Sequence, residues 1–500
     1  MYAPGYTDTS MKKPPSVDLA AIAVRAMEKY GFAPRHPGSV IREAADAAKQ
    51  DPMHRHGGAR DLRDMLWSSI DNIDSEDLDQ LEFCERMPDD SIHVFVAIAD
   101  VDALVPKGSA TDHYAAHNCT SVYTGIITFP MLPDVLSKGA TSLLPAKDRR
   151  AIVAEYTVSP KGDLTPGSIF PAFVRNKAKL VYETTGAWLA GTGTIPDTIR
   201  DLPGLEAQVQ LQNEVAVRLR NERIEHGALD LQTLEASPVI ENGVVKDLIV
   251  IEPNPARSII EELMVAANRT MIASLERADL PAIERIVKTP KNWEGIVATA
   301  AALGTRLPKK PDAKALSLFL TRQKTVDPGR FPDLSLTVVK LMGPGEYAPL
   351  WPGGDPLGHF ALAVTDYTHA TAPNRRYPDL VNQRLIKSVL SHRQTPYTPE
   401  EIEGLAEHMT DREKASKKVE RFMQKAAAAV LLRDRIGDIF DGIVTGAADK
   451  GTYVRIIAPP VEGRVVQSEQ GLYVGEYVSV RLLSVDPYKG FIDFAFIRKR

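Results

Sequence analysis

Three short stretches near the N-terminus place apolar residues at helical spacing. They read VDLAAIAVRAMEKY from Val17, VIREAADAAKQ from Val40 and ARDLRDMLW from Ala59. Apolar residues recurring three and four apart indicate amphipathic helices, and Gly31 and Pro52 are typical stop signals for the first two. The pattern predicts a helical N-terminal domain over residues 1–62. It is either a helix-turn-helix or winged-helix domain, or a helical cap on the unit that follows.

The next part of the chain, residues 63–435, mixes strand and helix patterns. IHVFVAIADV (92–101) and AIVAEYTV (151–158) are rich in β-branched residues and predict buried strands. ARSIIEELMVAANRTMIASLERA (256–278) and the segment after Thr398 and Pro399 predict long helices. Because no Pro/Gly-rich linker interrupts this part, we expect one large mixed α+β unit.

Residues 436–500 have a third pattern, with short strand-like runs between turn glycines. Such a pattern suits a small barrel of the OB type. The predicted fold class is therefore α+β and multidomain: a helical N-terminal domain, a large mixed α+β unit and a C-terminal OB-fold β-barrel.

Composition narrows the class of protein. The chain is 44% hydrophobic and 25% charged, which is ordinary for a globular protein, and its net charge of −5 neither indicates nor excludes a nucleic-acid partner. Its N-terminus has no apolar core of the secretory-signal kind, and the aliphatic run AAAAVLL (426–432) is too short for a membrane span. Cys84 and Cys119 are too few for a disulfide framework and suit a reducing compartment. We expect a cytoplasmic, monomeric protein with no membrane partner.

The run SSIDNIDSEDLDQLEF (68–83) holds the most concentrated charge. Asp77 and Asp79 are two residues apart and point to one side if the chain is extended, and a turn can return Asp71 to the same point. Three converging carboxylates need a cation, and oxygen ligands favour a hard ion, Mg²⁺ or Mn²⁺. A calcium-binding EF-hand loop from Asp71 is rejected because Glu76 stands where that loop needs glycine. A solvated acidic loop is the alternative.

A second cluster is YTHATAPNRRYPDLVNQRL (367–385). Arg375 and Arg376 precede a predicted helix and could clamp phosphate oxygens, since guanidinium groups bind them in a bidentate manner. The alternative is an ion pair with Asp379. His369 is interpreted as an orienting hydrogen-bond donor. An acidic metal site with an arginine is the equipment for phosphodiester hydrolysis.

Seven motifs, in order, resemble the ribonuclease II / ribonuclease R family, whose catalytic unit is the RNB domain. Besides the two clusters above, the chain contains VFVAIADVDALVPKGSATDHYA, TSVYTGIITFPMLPDVLS, NKAKLVYE, HGALDL and IIEELMVAAN. The resemblance covers about residues 60–435, and the C-terminal barrel resembles the RNA-binding barrel that usually follows. It implies a processive 3′→5′ exoribonuclease that hydrolyses single-stranded RNA to nucleoside 5′-monophosphates with Mg²⁺.

The resemblance also assigns roles to individual residues. The implied metal ligands are Asp71, Asp77, Asp79 and Gln80, and the implied catalytic residues are Asp79 and Arg375. The implied RNA contacts are Tyr123, Tyr182, Glu261, His369, Arg375, Arg376 and Glu420. The two tyrosines would stack on bases near the 3′ end, which tolerates any sequence.

Three features depart from the family pattern. Gln80 stands where the family has a fourth aspartate, so metal affinity could fall unless Asp74 or Glu76 substitutes. Leu231 stands where an aromatic residue often closes the base stack. The segment before residue 65 is too short for the paired cold-shock barrels that usually precede the RNB domain. The departure at Gln80 leaves a second hypothesis open, an RNA-binding protein with a weakened or inactive nuclease centre. A DNA phosphodiesterase is a third.

Overall fold

A computed structural model describes residues 17–50, 58–232, 235–241, 244–448 and 451–500. The helices described are α1 (Leu19–Lys29), α2 (Gly38–Ala48), α3 (Ala110–Asn118), α4 (Tyr182–Leu189), α5 (Asp197–Arg200), α6 (Leu205–Glu225), α7 (Pro255–Arg277), α8 (Trp293–Ala302), α9 (Ala313–Val326), α10 (Phe331–Met342), α11 (Tyr377–Leu390) and α12 (Pro399–Leu431). None of them is long and apolar enough to cross a membrane.

The strands form a large sheet, a barrel and three two-stranded ribbons. They are β1 (Arg60–Asp61), β2 (Ser68–Asp71), β3 (Gln80–Arg86), β4 (Ile92–Ala99), β5 (Val122–Tyr123), β6 (Thr128–Phe129), β7 (Asp148–Val158), β8 (Leu164–Arg175), β9 (Ala178–Val181), β10 (Glu235–Glu241), β11 (Val244–Ile251), β12 (Ala282–Ile286), β13 (Glu346–Leu350), β14 (Ile439–Ala448), β15 (Gly451–Ile456), β16 (Glu462–Gln467), β17 (Tyr477–Asp486) and β18 (Phe491–Lys499).

The large sheet has the strand order β1-β8-β7-β4-β3-β2-β9. Its middle strand, β4, pairs antiparallel with both β3 and β7, as expected for the most apolar run of the chain. Helix α7 packs on β7 and β8, and α6 packs on β3 and on α7. The main hydrophobic core lies between this sheet and these helices. The sheet thereby holds the loop between β2 and β3 at one edge of the core.

Strands β14 to β18 close into a five-stranded barrel, which confirms the predicted OB-type fold. Helix α12 reaches from the catalytic unit to the barrel: its Ala428 and Ala429 belong to the barrel core. A capping box at Thr398 and Glu401 fixes the start of α12. The predicted α+β multidomain class is confirmed.

The N-terminal region differs from the expectation in one respect. The stretch ARDLRDMLW, predicted as a third helix, contains strand β1 followed by a turn. Trp67 is fully buried and its indole N–H donates to the carbonyl of Leu62 at 2.8 Å, which fixes the turn. Helix α1 packs along α12, and Met27 shares a core with Val419. This packing favours the helical-cap interpretation over an independent helix-turn-helix domain.

Arg384 of α11 is the centre of a buried polar network. Its guanidinium donates to the Tyr397 hydroxyl at 2.8 Å and the Val105 carbonyl at 2.7 Å, and lies 2.8 Å from the Asp112 carboxylate. These bonds join α11 to α3 and to the segment before α12.

We predict that Arg384→Ala destabilises the protein by about 3–5 kcal/mol, because it leaves the buried Asp112 carboxylate without its ion-pair partner. Denaturant unfolding monitored by circular dichroism measures the change. Arg393→Ala removes an exposed arginine just beyond α11 and is the matched control. Equal stability of the two variants would contradict the structural role of Arg384.

Candidate active site

The acidic run forms the loop between β2 and β3, and two side chains hold its backbone. The Ser142 hydroxyl accepts from the Leu78 N–H at 2.9 Å and donates to the Glu76 carbonyl at 2.6 Å. The Lys179 ammonium donates to the carbonyls of Ile73 and Ser75 at 2.9 and 2.5 Å. The loop is therefore an ordered, backbone-anchored structure, which argues against the alternative of a merely solvated acidic loop.

Asp79 joins this loop to the arginine cluster. Its carboxylate accepts from the backbone N–H of Asn374 at 2.9 Å and from Arg375 Nε at 3.1 Å, and the residue is only 2% exposed. The Asn374 side-chain oxygen accepts in turn from the Thr141 hydroxyl at 2.6 Å. The structure thus brings together the two clusters that the sequence singled out, although nearly 300 residues separate them.

Burial raises the pKa of two of the aspartates. The pKa of Asp71 rises to about 6 and that of Asp79 to about 7, mainly because burial disfavours the charged form. The charge of Asp77 raises both pKa values further, while Arg375 lowers them. Oδ2 of Asp71 is buried without a hydrogen-bond partner. Carboxylates in this arrangement are stabilised when a cation is bound.

The donor set fits a hard divalent ion in part. Within the described ranges no three His, Cys, Asp or Glu side chains are close enough to enclose a metal by themselves. Mg²⁺, however, usually takes only one or two protein carboxylates and keeps waters and substrate phosphate as its other ligands. The buried, unpartnered oxygen of Asp71 suits that mode of binding. Asp77 lies near enough to Asp71 for its charge to raise the pKa of Asp71, after the larger effect of burial.

Gln80 begins β3 and is 6% exposed. The two carboxylates considered as substitutes for a fourth aspartate, Asp74 and Glu76, are both exposed. Glu76 is also within 3.4 Å of the Lys138 ammonium. Neither of them replaces the missing charge inside the site.

Glu82 is a buried acid that the sequence analysis did not select. It is fully buried on β3, and both of its carboxylate oxygens have no hydrogen-bond partner among the described residues. Burial and, secondly, the charge of Asp71 raise its pKa well above the usual value. One signal for it was available: a glutamate two residues after Gln80 on a buried strand lies on the same face.

Two tyrosines flank the carboxylates. The Tyr123 hydroxyl donates to Asp77 Oδ2 at 3.2 Å, and the residue is 43% exposed. Tyr182 is the first residue of α4, and the Arg257 guanidinium lies 4.5 Å from the centre of its ring. Tyr182 directly follows Val181, which pairs with Asp71 in the parallel register of β2 and β9, so the residue lies beside the start of the acidic loop. Base-stacking roles for Tyr123 and Tyr182 stay predictions.

Arg376 and His369 have partners inside the protein. Arg376 lies 2.7 Å from Asp379, which is fully buried and also accepts from the Ala372 N–H. The ion pair considered as the alternative for this arginine is therefore present. His369 Nδ1 pairs with the Tyr347 hydroxyl at 2.9 Å, and burial holds the pKa of His369 well below the usual range. RNA-binding roles for Arg376 and His369 stay predictions.

The remaining predicted RNA contacts lie on helices. Glu261 of α7 is largely exposed and is 3.6 Å from Arg223. It lines a cavity of about 640 Å³ together with Arg257, Lys324 and Leu231, the residue at the position of the missing aromatic. Glu420 is half-buried on α12. The roles of Glu261 and Glu420 also stay predictions.

Comparisons with known proteins agree with this arrangement. The family model of the RNB domain matches residues 59–392, and that of the RNase II-type exonuclease C-terminal S1 domain matches residues 438–496. The chain is 28% identical to Ribonuclease R of Thermotoga maritima, covering 97% of this chain and 71% of that protein.

Two solved structures share the fold. Mycoplasma genitalium RNase R in complex with ribose methylated single-stranded RNA has a TM-score of 0.86 at 22% identity, over 96% of this chain and 78% of that one. Yeast Ssd1, a pseudonuclease, has a TM-score of 0.70 at 17% identity, over 93% of this chain and 58% of that one. Because a pseudonuclease shares the fold, the fold alone does not establish nuclease activity. Activity depends on the side chains of the site.

An α+β catalytic unit with buried carboxylates facing an arginine, followed by an S1-type barrel, defines an exoribonuclease. The chain belongs to the RNB-domain family, of the ribonuclease II and ribonuclease R type. The resemblance noted in the sequence is confirmed, and with it the 3′→5′ exoribonuclease class.

The raised pKa of Asp71 leads to a prediction about stability in metal-free protein. The pKa of an aspartate in an unfolded chain is about 3.9. Asp71 therefore keeps its proton to a higher pH in the folded protein than in the unfolded chain. The contribution of protonated Asp71 to the free energy of unfolding is complete below the pKa of the unfolded chain. It is lost as pH rises through the folded-state pKa of about 6. The wild type should therefore lose stability relative to Asp71→Asn between pH 4 and 7.

Thermal unfolding in the presence of a chelator measures the difference between these two proteins. Asp74→Asn, an exposed acid in the same loop, is the control and should follow the wild type. A constant difference between wild type and Asp71→Asn across this pH range would contradict the prediction.

Proposed function

We propose that this chain is an active nuclease that removes nucleotides processively from the 3′ end of single-stranded RNA, with Mg²⁺ or Mn²⁺, and releases nucleoside 5′-monophosphates. The observation that carries the proposal is the Asp79 carboxylate held by Arg375 and the Asn374 N–H, near the charge of Asp77. That geometry combines a site for a cation with a fixed positive charge, which phosphodiester hydrolysis requires.

Asp71 would hold the ion directly, with Asp77 and Asp79 assisting. When bound, the ion would supply an activated water and neutralise negative charge on the phosphate. Asp79 keeps the guanidinium of Arg375 oriented through the Nε bond. The other nitrogens of that guanidinium can then donate to phosphate oxygens as the scissile phosphorus gains negative charge. Arg375 is therefore proposed to act in the chemical step more than in RNA binding.

Tyr182 and Tyr123 are proposed to stack on the terminal bases. Stacking is worth roughly 1–3 kcal/mol per base and requires no particular sequence. The cavity beside Glu261 would admit the upstream strand, where Leu231 offers only aliphatic contact. That end of the stack would therefore hold RNA more loosely.

The weakened-nuclease hypothesis rests on Gln80 alone. The other predicted metal ligands and catalytic residues are present, and Asp79 and Arg375 are in contact, so we favour an active enzyme. We further propose the domain division 1–62, 63–435 and 436–500, a monomer, and a cytoplasmic location. The buried free thiols of Cys84 and Cys119 support a reducing compartment.

A 5′-labelled single-stranded oligoribonucleotide incubated with Mg²⁺ tests the proposal. We expect stepwise shortening from the 3′ end by the wild type and much slower shortening by Asp79→Asn. Binding without shortening would support the weakened-nuclease hypothesis. Equal degradation of the matching deoxyoligonucleotide would point to a general phosphodiesterase.

We predict that Arg375→Ala lowers the single-turnover rate about 10²–10³-fold, the usual loss for a group that stabilises developing charge. RNA affinity should change much less. Arg375→Lys should recover only part of the rate, because an ammonium lacks the guanidinium fork. Quench-flow kinetics and filter binding give the two quantities, and equal losses in both would mean that Arg375 only binds RNA.

We also predict that Tyr182→Ala changes the length of the last undegraded fragment, because a base at the 3′ end loses its stacking partner. Tyr182→Phe keeps the ring and should leave that length unchanged. Denaturing gels of exhaustive digests show the product. An alanine variant with the wild-type end product would contradict a position of Tyr182 beside the terminal nucleotide.

A further inference from the structure

Arg257 of α7 stands between the cavity beside Glu261 and the ring of Tyr182. It lines that cavity of about 640 Å³ together with Glu261, which follows one helical turn further along α7. The guanidinium carbon of Arg257 lies over the Tyr182 ring, 4.5 Å from the ring centre. Tyr182 is not among the described residues that line the cavity. The guanidinium is thus the layer between the ring and the cavity.

The guanidinium of Arg257 is held in this position from its edge. Nη2 donates to the carboxylate of Glu183, the neighbour of Tyr182 in the chain, at 2.8 Å. Nε is buried and has no hydrogen-bond partner among the described residues, so no second acceptor draws the group away from the ring. The attraction between a cation and an aromatic face then keeps the two planes together.

The two helices that carry this pair pack closely on each other. Gly186 of α4 lies against Asn254, the N-cap residue of α7, and a Cβ atom at position 186 would come within 2.5 Å of the Asn254 side chain. The same Asn254 side chain accepts from the backbone N–H of Arg257 at 3.0 Å. The backbones of Tyr182 and Arg257 are therefore fixed relative to each other.

The geometry of Arg257 suits stacking better than phosphate binding. A guanidinium contacts phosphate through the N–H groups at its edge, whereas its flat faces stack on bases and on aromatic rings. At Arg257 one edge nitrogen is engaged by Glu183 and another is buried. One face lies on the Tyr182 ring, and the residue also lines the cavity.

We propose that Arg257 is a base-stacking residue whose guanidinium, supported by the ring of Tyr182, forms the surface on which a base near the 3′ end of RNA stacks. The inference rests on the proposed function and adds a residue to its base-binding site. Because Val181 pairs with Asp71, this two-layer platform lies beside the start of the acidic loop. Leu231 lines the same cavity and offers only aliphatic contact, so the platform is the firm end of the base stack.

RNA binding by the full-length protein in the presence of a chelator, which removes the metal needed for cutting, tests this inference. An intact oligoribonucleotide is compared with oligonucleotides that carry one abasic nucleotide at each of the last few positions in turn. At one position the wild type should lose affinity about tenfold when the base is removed, the usual value of one stacked base. Arg257→Ala should lose less than about twofold there. Arg277→Ala, in the last turn of the same helix, is the control and should keep the wild-type ratio.

Two further variants separate stacking from charge. Arg257→Lys keeps the charge and a long side chain but lacks the plane, so it should also lose most of the contribution of that base. Arg257→Ala combined with Tyr182→Ala should reduce that contribution no further than either change alone, because the two side chains act as one platform. If Arg257→Ala does not fold, Arg257→Lys carries the same comparison.

Four results would overturn the inference. The first is an unchanged base contribution in Arg257→Ala. The second is equal weakening of intact and abasic oligonucleotides, which would assign Arg257 to phosphate binding. The third is full recovery by Arg257→Lys, which would leave charge as the cause. The fourth is tighter binding by Arg257→Ala, which would mean that the guanidinium competes with the base for the ring.

The outcome is separable from that of the proposed function. Wild-type protein that shortens RNA while Arg257→Ala keeps the base contribution would refute the platform alone. Wild-type protein that binds RNA with the expected base dependence but leaves it intact when Mg²⁺ is added would refute the nuclease and keep the platform.

Discussion

The bond between the Asp79 carboxylate and the Arg375 guanidinium is the constraint on which the site depends. It joins the loop between β2 and β3 to the segment before α11, and the Asn374 N–H strengthens it. The loop and the segment before α11 are each held in place by separate hydrogen bonds. Ser142 holds the loop, and Asp379 holds the segment by accepting from the Ala372 N–H. Two rigid pieces of backbone therefore meet at one charge pair, which is the preorganisation that catalysis of phosphate transfer requires.

In this arrangement, the burial of carboxylates that serves function lowers the stability of the protein. Burial makes the charged forms of Asp71 and Asp79 unfavourable, as their raised pKa values indicate. Arg375 compensates one of them, and a cation would compensate the other. The carboxyl groups are thus held where the positive charge of a metal ion would stabilise their ionised forms. The sheet and the helices α6 and α7 supply the packing that tolerates this cost.

Local sequence predicted the elements with strong periodicity. The buried strand β4, the long helices α7 and α12 and the C-terminal barrel appear where their patterns placed them. The stretch ARDLRDMLW failed because tertiary contacts overrode a helical pattern: β1 pairs with β8, and Trp67 is buried against the core. Propensity is a weak signal where burial of a large aromatic side chain decides the backbone.

The site was only partly predictable for a similar reason. Charge density identified Asp71, Asp77 and Asp79, and an arginine pair identified Arg375. Arg376 could face either a ligand or Asp379. The structure shows the ion pair with Asp379 across the first turn of α11, and the sequence alone does not determine the conformation of that turn. Glu82 was not predicted as a buried acid of the site, because its location depends on which face of β3 is buried. Its location depends on the pairing of β2 and β3, which places it opposite Ser68.

A double-mutant cycle on Asp79 and Arg375 tests the central claim most directly. The single-turnover rate of RNA shortening at saturating Mg²⁺ would be measured for Asp79→Asn, Arg375→Ala and the variant with both changes. Residues that act as one unit are strongly non-additive, so the double variant should be no more than about tenfold slower than the slower single variant. If the loss of rate in the double variant equals the product of the losses in the two single variants, the two side chains act independently. That result would contradict the account.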